Sequence, residues 1–325
     1  MPSPKPLVTH IYTADPSAHV FDGKLYIYPS HDRENSQVER DNTGEQYDMV
    51  DYHVLSMDTV GGSVTDHGIA LSVEQVSWAA KQLWAPDAAC KNGKYYLYFP
   101  ARDKEKIFRI GVAVSDVPSG PFKAEPQPIP GSYSIDPASF IDDDGNAYLY
   151  FGGIWGGELQ CWTSGTFDAS KTGPQEPTGD APALFPRVAK LSDDMLSFPN
   201  GVEELQILDE NGDLLKGKDH DRRFFEAPWM HKYNGMYYFS YSTGDTHCIA
   251  YATSTSPMGP FTYRGRILEP VVGWTTHHSI VEWEGRWWLF YHDCELSGGV
   301  SHLRSVKMRE LLYDGEGRIR LAEPQ

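Results

Sequence analysis

Three carboxylic acids stand at one phase of a repeated pattern: Asp15 in Ala14-Asp15-Pro16, Asp136 in Ile135-Asp136-Pro137 and Glu226 in Glu226-Ala227-Pro228. Each lies about eight residues ahead of a glycine that closes a turn signal, and Ala85-Pro86-Asp87 and His277-His278-Ser279 hold the same place before two more such glycines. If the five segments open equivalent strands around one axis, residues far apart in sequence share a pocket. Three carboxyls brought together cannot all ionise freely, so one pKa is driven up while another stays low. That separation supplies a general acid and a general base at a single pH. Taken singly, an Asp-Pro pair is ordinary turn chemistry; what outweighs that reading is the recurrence. Trp84 and Trp229 flank two of these strand starts, and aromatic planes stack on the apolar faces of sugar rings, although a lone tryptophan is as readily core.

The elements that would position these acids are legible in the turns. Asp22-Gly23, Asn92-Gly93, Asp144-Gly145, Asn234-Gly235 and Glu284-Gly285 each precede a short aromatic and aliphatic run: KLYIY, KYYLYF, NAYLYF, MYYFSY and RWWLFY. Asn-Gly and Asp-Gly suit the positive φ angles of tight hairpins, and runs of consecutive large residues suit strands buried on both faces. The units average about 65 residues, enough for a four-stranded propeller blade with loops. A second repeat agrees: Ser115 to Phe122, SDVPSGPF, recurs as Ser254 to Phe261, STSPMGPF. The predicted fold is all-β, a five-bladed propeller forming one domain over 1–325, with 1–6 a disordered or extended lead-in. Its inner strands are expected to begin near residues 15, 86, 136, 227 and 278. The wide interval between Gly145 and Gly235 must hold an insertion, with a further hairpin at Asn211-Gly212.

Composition narrows the partners. A net charge of −17 argues against nucleic acid or an anionic membrane, both held through Lys and Arg. The opening MPSPKPL lacks the apolar core of a secretory signal, so the chain reads as cytoplasmic as written, or secreted if a leader has been removed. Cys90, Cys161, Cys248 and Cys294 are too scattered for a metal or disulfide framework and read as buried free thiols. Asp142-Asp143-Asp144-Gly145 lacks the later ligands of a calcium loop and reads as the lead-in to a hairpin. The phosphate-loop-like Gly212 to Lys218 carries Asp219 where Ser or Thr should bind magnesium. Neither a nucleophile elbow nor a zinc-protease motif is present.

The five blade openings, among them THIYTADPSAHVFDGKLYIYPSHD, SIDPASFIDDDGNAYLYFGG and FFEAPWMHKYNGMYYFSYS, resemble those of glycoside hydrolase family 43 along essentially the whole chain. The resemblance implies a five-bladed propeller that hydrolyses pentosides with inversion, acting as an α-L-arabinofuranosidase, a β-xylosidase or both on hemicellulose oligosaccharides. An arabinanase and a non-catalytic carbohydrate-binding propeller are the alternatives. It implies Asp15 as general base, Glu226 as general acid and Asp136 as the acid that orients Glu226 and raises its pKa. Inversion needs room for a water, hence carboxyls roughly 6.5–9.5 Å apart. Trp84 is the expected stacking wall, and the charged stretch Ser30 to Gln46 a rim of the pocket. Arg304 matches a substrate-binding arginine, able to bind a sugar hydroxyl or hold a carboxylate ionised, with a surface ion pair as the alternative. No cofactor is required for the chemistry. A structural calcium or other ion at the axis, touching His277 or His278, is the expected extra, against the alternative of a satisfied core histidine.

Overall fold

The computed structural model describes residues 4–34 and 43–323. They form five sheets arranged radially as the blades of a propeller. The innermost strands are Tyr12–Phe21, Asp87–Lys91, Ala138–Ile141, Phe224–Tyr233 and His278–Trp283, so all five fall where the repeat placed them. Each hairpins into an aromatic run: Lys24–Asp32, Lys94–Asp103, Ala147–Phe151, Met236–Thr243 and Arg286–Asp293. Side chains on a strand alternate between faces, and here both faces are buried. On Lys94–Asp103, Leu97 and Phe99 pack with Tyr28, Tyr52 and Val54 of blade 1, while Tyr96 and Tyr98 pack with Leu149 and Phe151 of blade 3. The core therefore lies between blades, which is why the runs carry large residues at consecutive positions.

Four of the five turns have both central residues in the left-handed region, as at Asn92 (φ 54°) and Gly93 (φ 73°). Asp144-Gly145 differs: only Gly145 has positive φ, and the loop is wider, with the amide of Asp142 bonded to the carbonyl of Asn146. The Asp142 carboxylate is held by Lys232 Nζ at 2.9 Å and by the Tyr237 hydroxyl, consistent with a hairpin lead-in. The insertion between Gly145 and Gly235 adds Ile207–Leu208 as a parallel outer strand on blade 4. The ring closes where the Leu7 amide donates to the Val306 carbonyl and the Thr13 amide to the Arg304 carbonyl. Of the lead-in expected over 1–6, residues 1–3 lie outside the described residues. Cys161, Cys248 and Cys294 are buried, Cys90 is half-buried, and all four are free thiols.

The second repeat is an inter-blade latch. The Phe122 amide donates to the Ala70 carbonyl of blade 1, and the Phe261 amide to the Gln206 carbonyl beside blade 3. Tyr28 and Tyr150, each five residues beyond its turn glycine, donate their hydroxyls to Pro118 O (2.7 Å) and Pro257 O (2.9 Å) within the two copies. Tyr150→Phe should cost about 1 kcal/mol, because it leaves a part-buried carbonyl without its donor while removing no apolar contact. Urea unfolding at neutral pH checks this, and an unchanged midpoint would make the latch ornamental.

Candidate active site

Prolines set the geometry of the acids. Asp15 (φ 48°), Asp136 (φ 57°) and Ala227 (φ 59°) are left-handed residues that each immediately precede a proline. Proline has no amide to donate, so the ladder breaks there. Pairing slips between Ala14 and Ser17 and again across Glu226 to Trp229. A bulge of this kind re-aims a side chain out of the pleat, here into the axial funnel. Such backbone costs about 1–3 kcal/mol per residue, and side chains from other blades offset it. The Asp15 amide donates to His292 Nδ1 at 3.0 Å, and the Ala227 amide to Asp136 Oδ2 at 2.9 Å.

The funnel is a cavity of about 770 Å³ whose walls include Asp15, Asp136, Glu226, His277, Arg304 and Trp84. Residues separated by up to 289 positions thus meet at one axis. Asp87, at the matching point of blade 2, serves the frame instead. Its buried carboxylate accepts from Ser17, His19 and Ser139, tying the inner strands of blades 1, 2 and 3.

Arg304 is buried, and this excludes a surface ion pair. Its Nε and Nη2 grip Asp32 at 2.9 and 2.7 Å, while Nη1 donates to Asp15 Oδ1 at 2.9 Å. Ser30 Oγ donates to Asp15 Oδ2 at 2.8 Å. Burial by itself would raise the Asp15 pKa, but Arg304, then His292 and His277, then the Ser30 hydroxyl outweigh it and hold Asp15 below the ordinary value. His292 stays neutral, pushed down to about 3 by burial and by Arg304; its Nδ1 accepts from Asp15 and its Nε2 faces Thr275 O at 3.1 Å.

Glu226 has the opposite environment. Ringed by protein yet partly open to the cavity, it is pushed up to about 8 by burial and by the negative charge of Asp15. Asp136, more deeply buried, is also driven well above the ordinary range, by burial and then by Glu226 and Asp15. The charge that lifts Glu226 therefore comes from Asp15. The arrangement holds one ionised carboxylate and two proton-bearing carboxyls in a single water-accessible cavity.

The two histidines part company. His277 lines the cavity, with its Nδ1 3.8 Å from both Asp15 Oδ1 and Asp136 Oδ2, and burial lowers its pKa to about 4. Calcium takes six to eight oxygen ligands, so one imidazole nitrogen offers it little, and an ion at the axis would be held mainly by water. His278 does not line the cavity; its Nε2 pairs with Ser240 Oγ at 2.6 Å.

Trp84 lines the funnel, but its ring packs on Phe108 with centroids 4.6 Å apart, and its Nε1 donates to Tyr47 O at 2.7 Å. It also fixes its neighbour: a Cβ on Gly44 would come within 2.5 Å of the indole. Gly44 and Gln46 make the described part of the rim expected over 30–46, whereas residues 35–42 lie outside the described residues. Trp155 and Trp274, stacked at 6.1 Å and half-buried, extend the aromatic wall with Tyr47 and Phe225. Neither tryptophan stands at the repeat phase, so spacing did not single them out. Trp229 faces away and donates its Nε1 to Ile280 O.

Residues 8–319 match the model for glycosyl hydrolases family 43. A xylosidase/arabinosidase from Humicola insolens is 67% identical, the match covering 98% of this chain and 99% of that protein. A β-xylosidase from Xylanibacter ruminicola is 52% identical over 95% of this chain and 96% of its own length. Among solved structures, a β-xylosidase/α-arabinofuranosidase of that family from a compost microbial metagenome, in a calcium-free complex with xylotriose, superposes with a TM-score of 0.94. It is 65% identical, with 97% of this chain and 96% of that one covered.

Proposed function

The chain belongs to glycosyl hydrolases family 43 and is a glycosidase; from that premise we propose that it removes terminal β-D-xylose and α-L-arabinofuranose from xylan-derived oligosaccharides by inverting hydrolysis. The observation that carries this reading is the split environment of Asp15 and Glu226 within one cavity. Glu226 gives its proton to the glycosidic oxygen as the C1–O bond breaks. Asp15 takes a proton from the water whose oxygen bonds to C1 from the opposite face. After release of the sugar and the shortened chain, Glu226 regains its proton from solvent and Asp15 loses the one it took. The acid and base are thus both supplied by the chain.

Both sugars are named for its relatives, and a relative's complex holds xylotriose. The cavity of this chain suits such sugars: it has an aromatic wall of Trp84, Trp155 and Trp274 for sugar faces, and buried polar groups for hydroxyls.

The test is the first-formed sugar. Proton NMR during hydrolysis of nitrophenyl β-D-xyloside should show α-xylose before mutarotation, and nitrophenyl α-L-arabinofuranoside should be cleaved as well. β-Xylose as the initial product would overturn inversion, and failure to release either pentose would overturn the substrate assignment.

A further inference from the structure

His31, Asp51 and His53 stand apart from the catalytic cavity, yet each offers one ligand atom, and all three atoms lie within 4.8 Å of one another. We propose that these three side chains form a zinc-binding site on blade 1, at the base of the loop that carries the funnel rim.

The fold brings them together for a definite reason. Ser30 and Asp32 turn towards Asp15 and Arg304. Successive side chains on a strand point to opposite faces, so His31 between them is turned away from the funnel. Ser30 pairs with Tyr52 across the sheet, which sets His31 near Asp51 and His53 on the neighbouring strand Asp51–Met57. The two imidazoles sit 4.7 Å apart, and His31 Nδ1 lies 2.6 Å from Asp51 Oδ1.

The donor set is that of zinc. Two imidazoles and one carboxylate with a fourth position for water make a common tetrahedral shell, whereas calcium takes six to eight oxygens. Ligand atoms on a tetrahedral zinc sit roughly 3.3–3.5 Å apart, so small side-chain rotations would part His31 Nδ1 from Asp51 Oδ1, as the ion replaces their shared proton, and draw the wider pairs together. An orienting partner is also in place. Asp66, from the strand Thr65–Ser72, faces His53 Nδ1 at 2.9 Å and His10 Nε2 at 2.8 Å. A proton held on His53 Nδ1 by that carboxylate leaves the lone pair on Nε2, the arrangement that commonly fixes metal-bound histidines. All three residues are half-buried, which leaves a path for the ion.

A metal there would join both stems of the loop between strands Lys24–Asp32 and Asp51–Met57. That loop delivers Gly44, Gln46 and Tyr47 to the cavity, and its first stem carries Ser30 and Asp32. The site is therefore a clip for the rim, separate from any ion beside His277.

Calorimetric titration of Zn²⁺ alone into the full chain tests this at neutral pH, alongside His53→Gln, Asp51→Asn and His277→Gln. One equivalent should bind to the wild type and to His277→Gln alike, and should raise the melting temperature of both, since the ion binds only the folded state. His53→Gln and Asp51→Asn should each weaken binding at least tenfold, with circular dichroism confirming their fold. Undiminished binding in His53→Gln, or loss of binding in His277→Gln alone, would overturn the site. Should either blade 1 variant fail to fold, Co²⁺ decides on the wild type. Intense visible bands displaced by Zn²⁺ support a tetrahedral site, and their absence refutes it.

Discussion

Asp15→Asn should abolish hydrolysis of every substrate, whereas Glu226→Gln should spare most activity on nitrophenyl pentosides and lose it on xylobiose. The base has no substitute: a water near C1 still needs a proton acceptor whichever group departs. Removing such a group costs about 10²–10⁴-fold, and kcat/KM should fall by that factor on both substrate types. Glu226 matters in proportion to the basicity of the leaving oxygen. A sugar hydroxyl departs poorly as an alkoxide, so xylobiose should show a loss of the same order, while a nitrophenolate leaves unprotonated. Both variants keep nearly the native shape, and Arg304 retains its paired grip on Asp32 after Asp15→Asn. Loss of charge at Asp15 therefore does not strand an isolated buried cation. Equal losses on both substrates in both variants would argue against these roles.

The phase of the three acids was legible because it depends only on local chemistry, namely proline after the left-handed residue and glycine in the next turn. Asn92-Gly93 and its equivalents fix the hairpins, and hairpins fix where each inner strand begins. Arg304 was readable as a candidate but not as to its partners. Its grip on Asp32 joins residues 272 positions apart and exists only once blade 5 closes on blade 1. Asp32 itself sits in a charged stretch and carries no local mark of burial. Trp155 and Trp274 were hidden for a related reason. They lie on connections outside the blade strands, where no periodicity applies, and meet only in the folded ring. The contrast between His277 and His278 follows from strand alternation across a strand start: His278 opens the strand and turns to Ser240, while His277 precedes it and faces the funnel.

The same distinction between local phase and assembled environment decides what Asp136→Asn should do. From the sequence, Asp136 is expected to raise the pKa of Glu226 by its charge, so removing that charge should move the alkaline limb of the pH profile towards acid. The structure assigns the charge differently. Arg304 faces Asp15 and Asp32, and the hydrogen-bond donor to Asp136 is the neutral amide of Ala227. Burial, then Glu226 and Asp15, oppose its ionisation and hold Asp136 well above the ordinary carboxylate range. An asparagine then replaces one neutral group by another. The limbs of kcat/KM report the free enzyme's acid and base. Glu226 works protonated, so activity is lost as pH rises through about 8; Asp15 works ionised, so activity is lost as pH falls through a pKa below its ordinary value. In Asp136→Asn both limbs should stay in place while the plateau drops, because the amide cannot reproduce the hydrogen-bond pattern of a carboxylic acid next to Glu226. An alkaline limb displaced by a full unit towards acid would correspond to about 1.4 kcal/mol of lost repulsion. That result would show Asp136 to be the ionised neighbour and return the tuning of Glu226 to it.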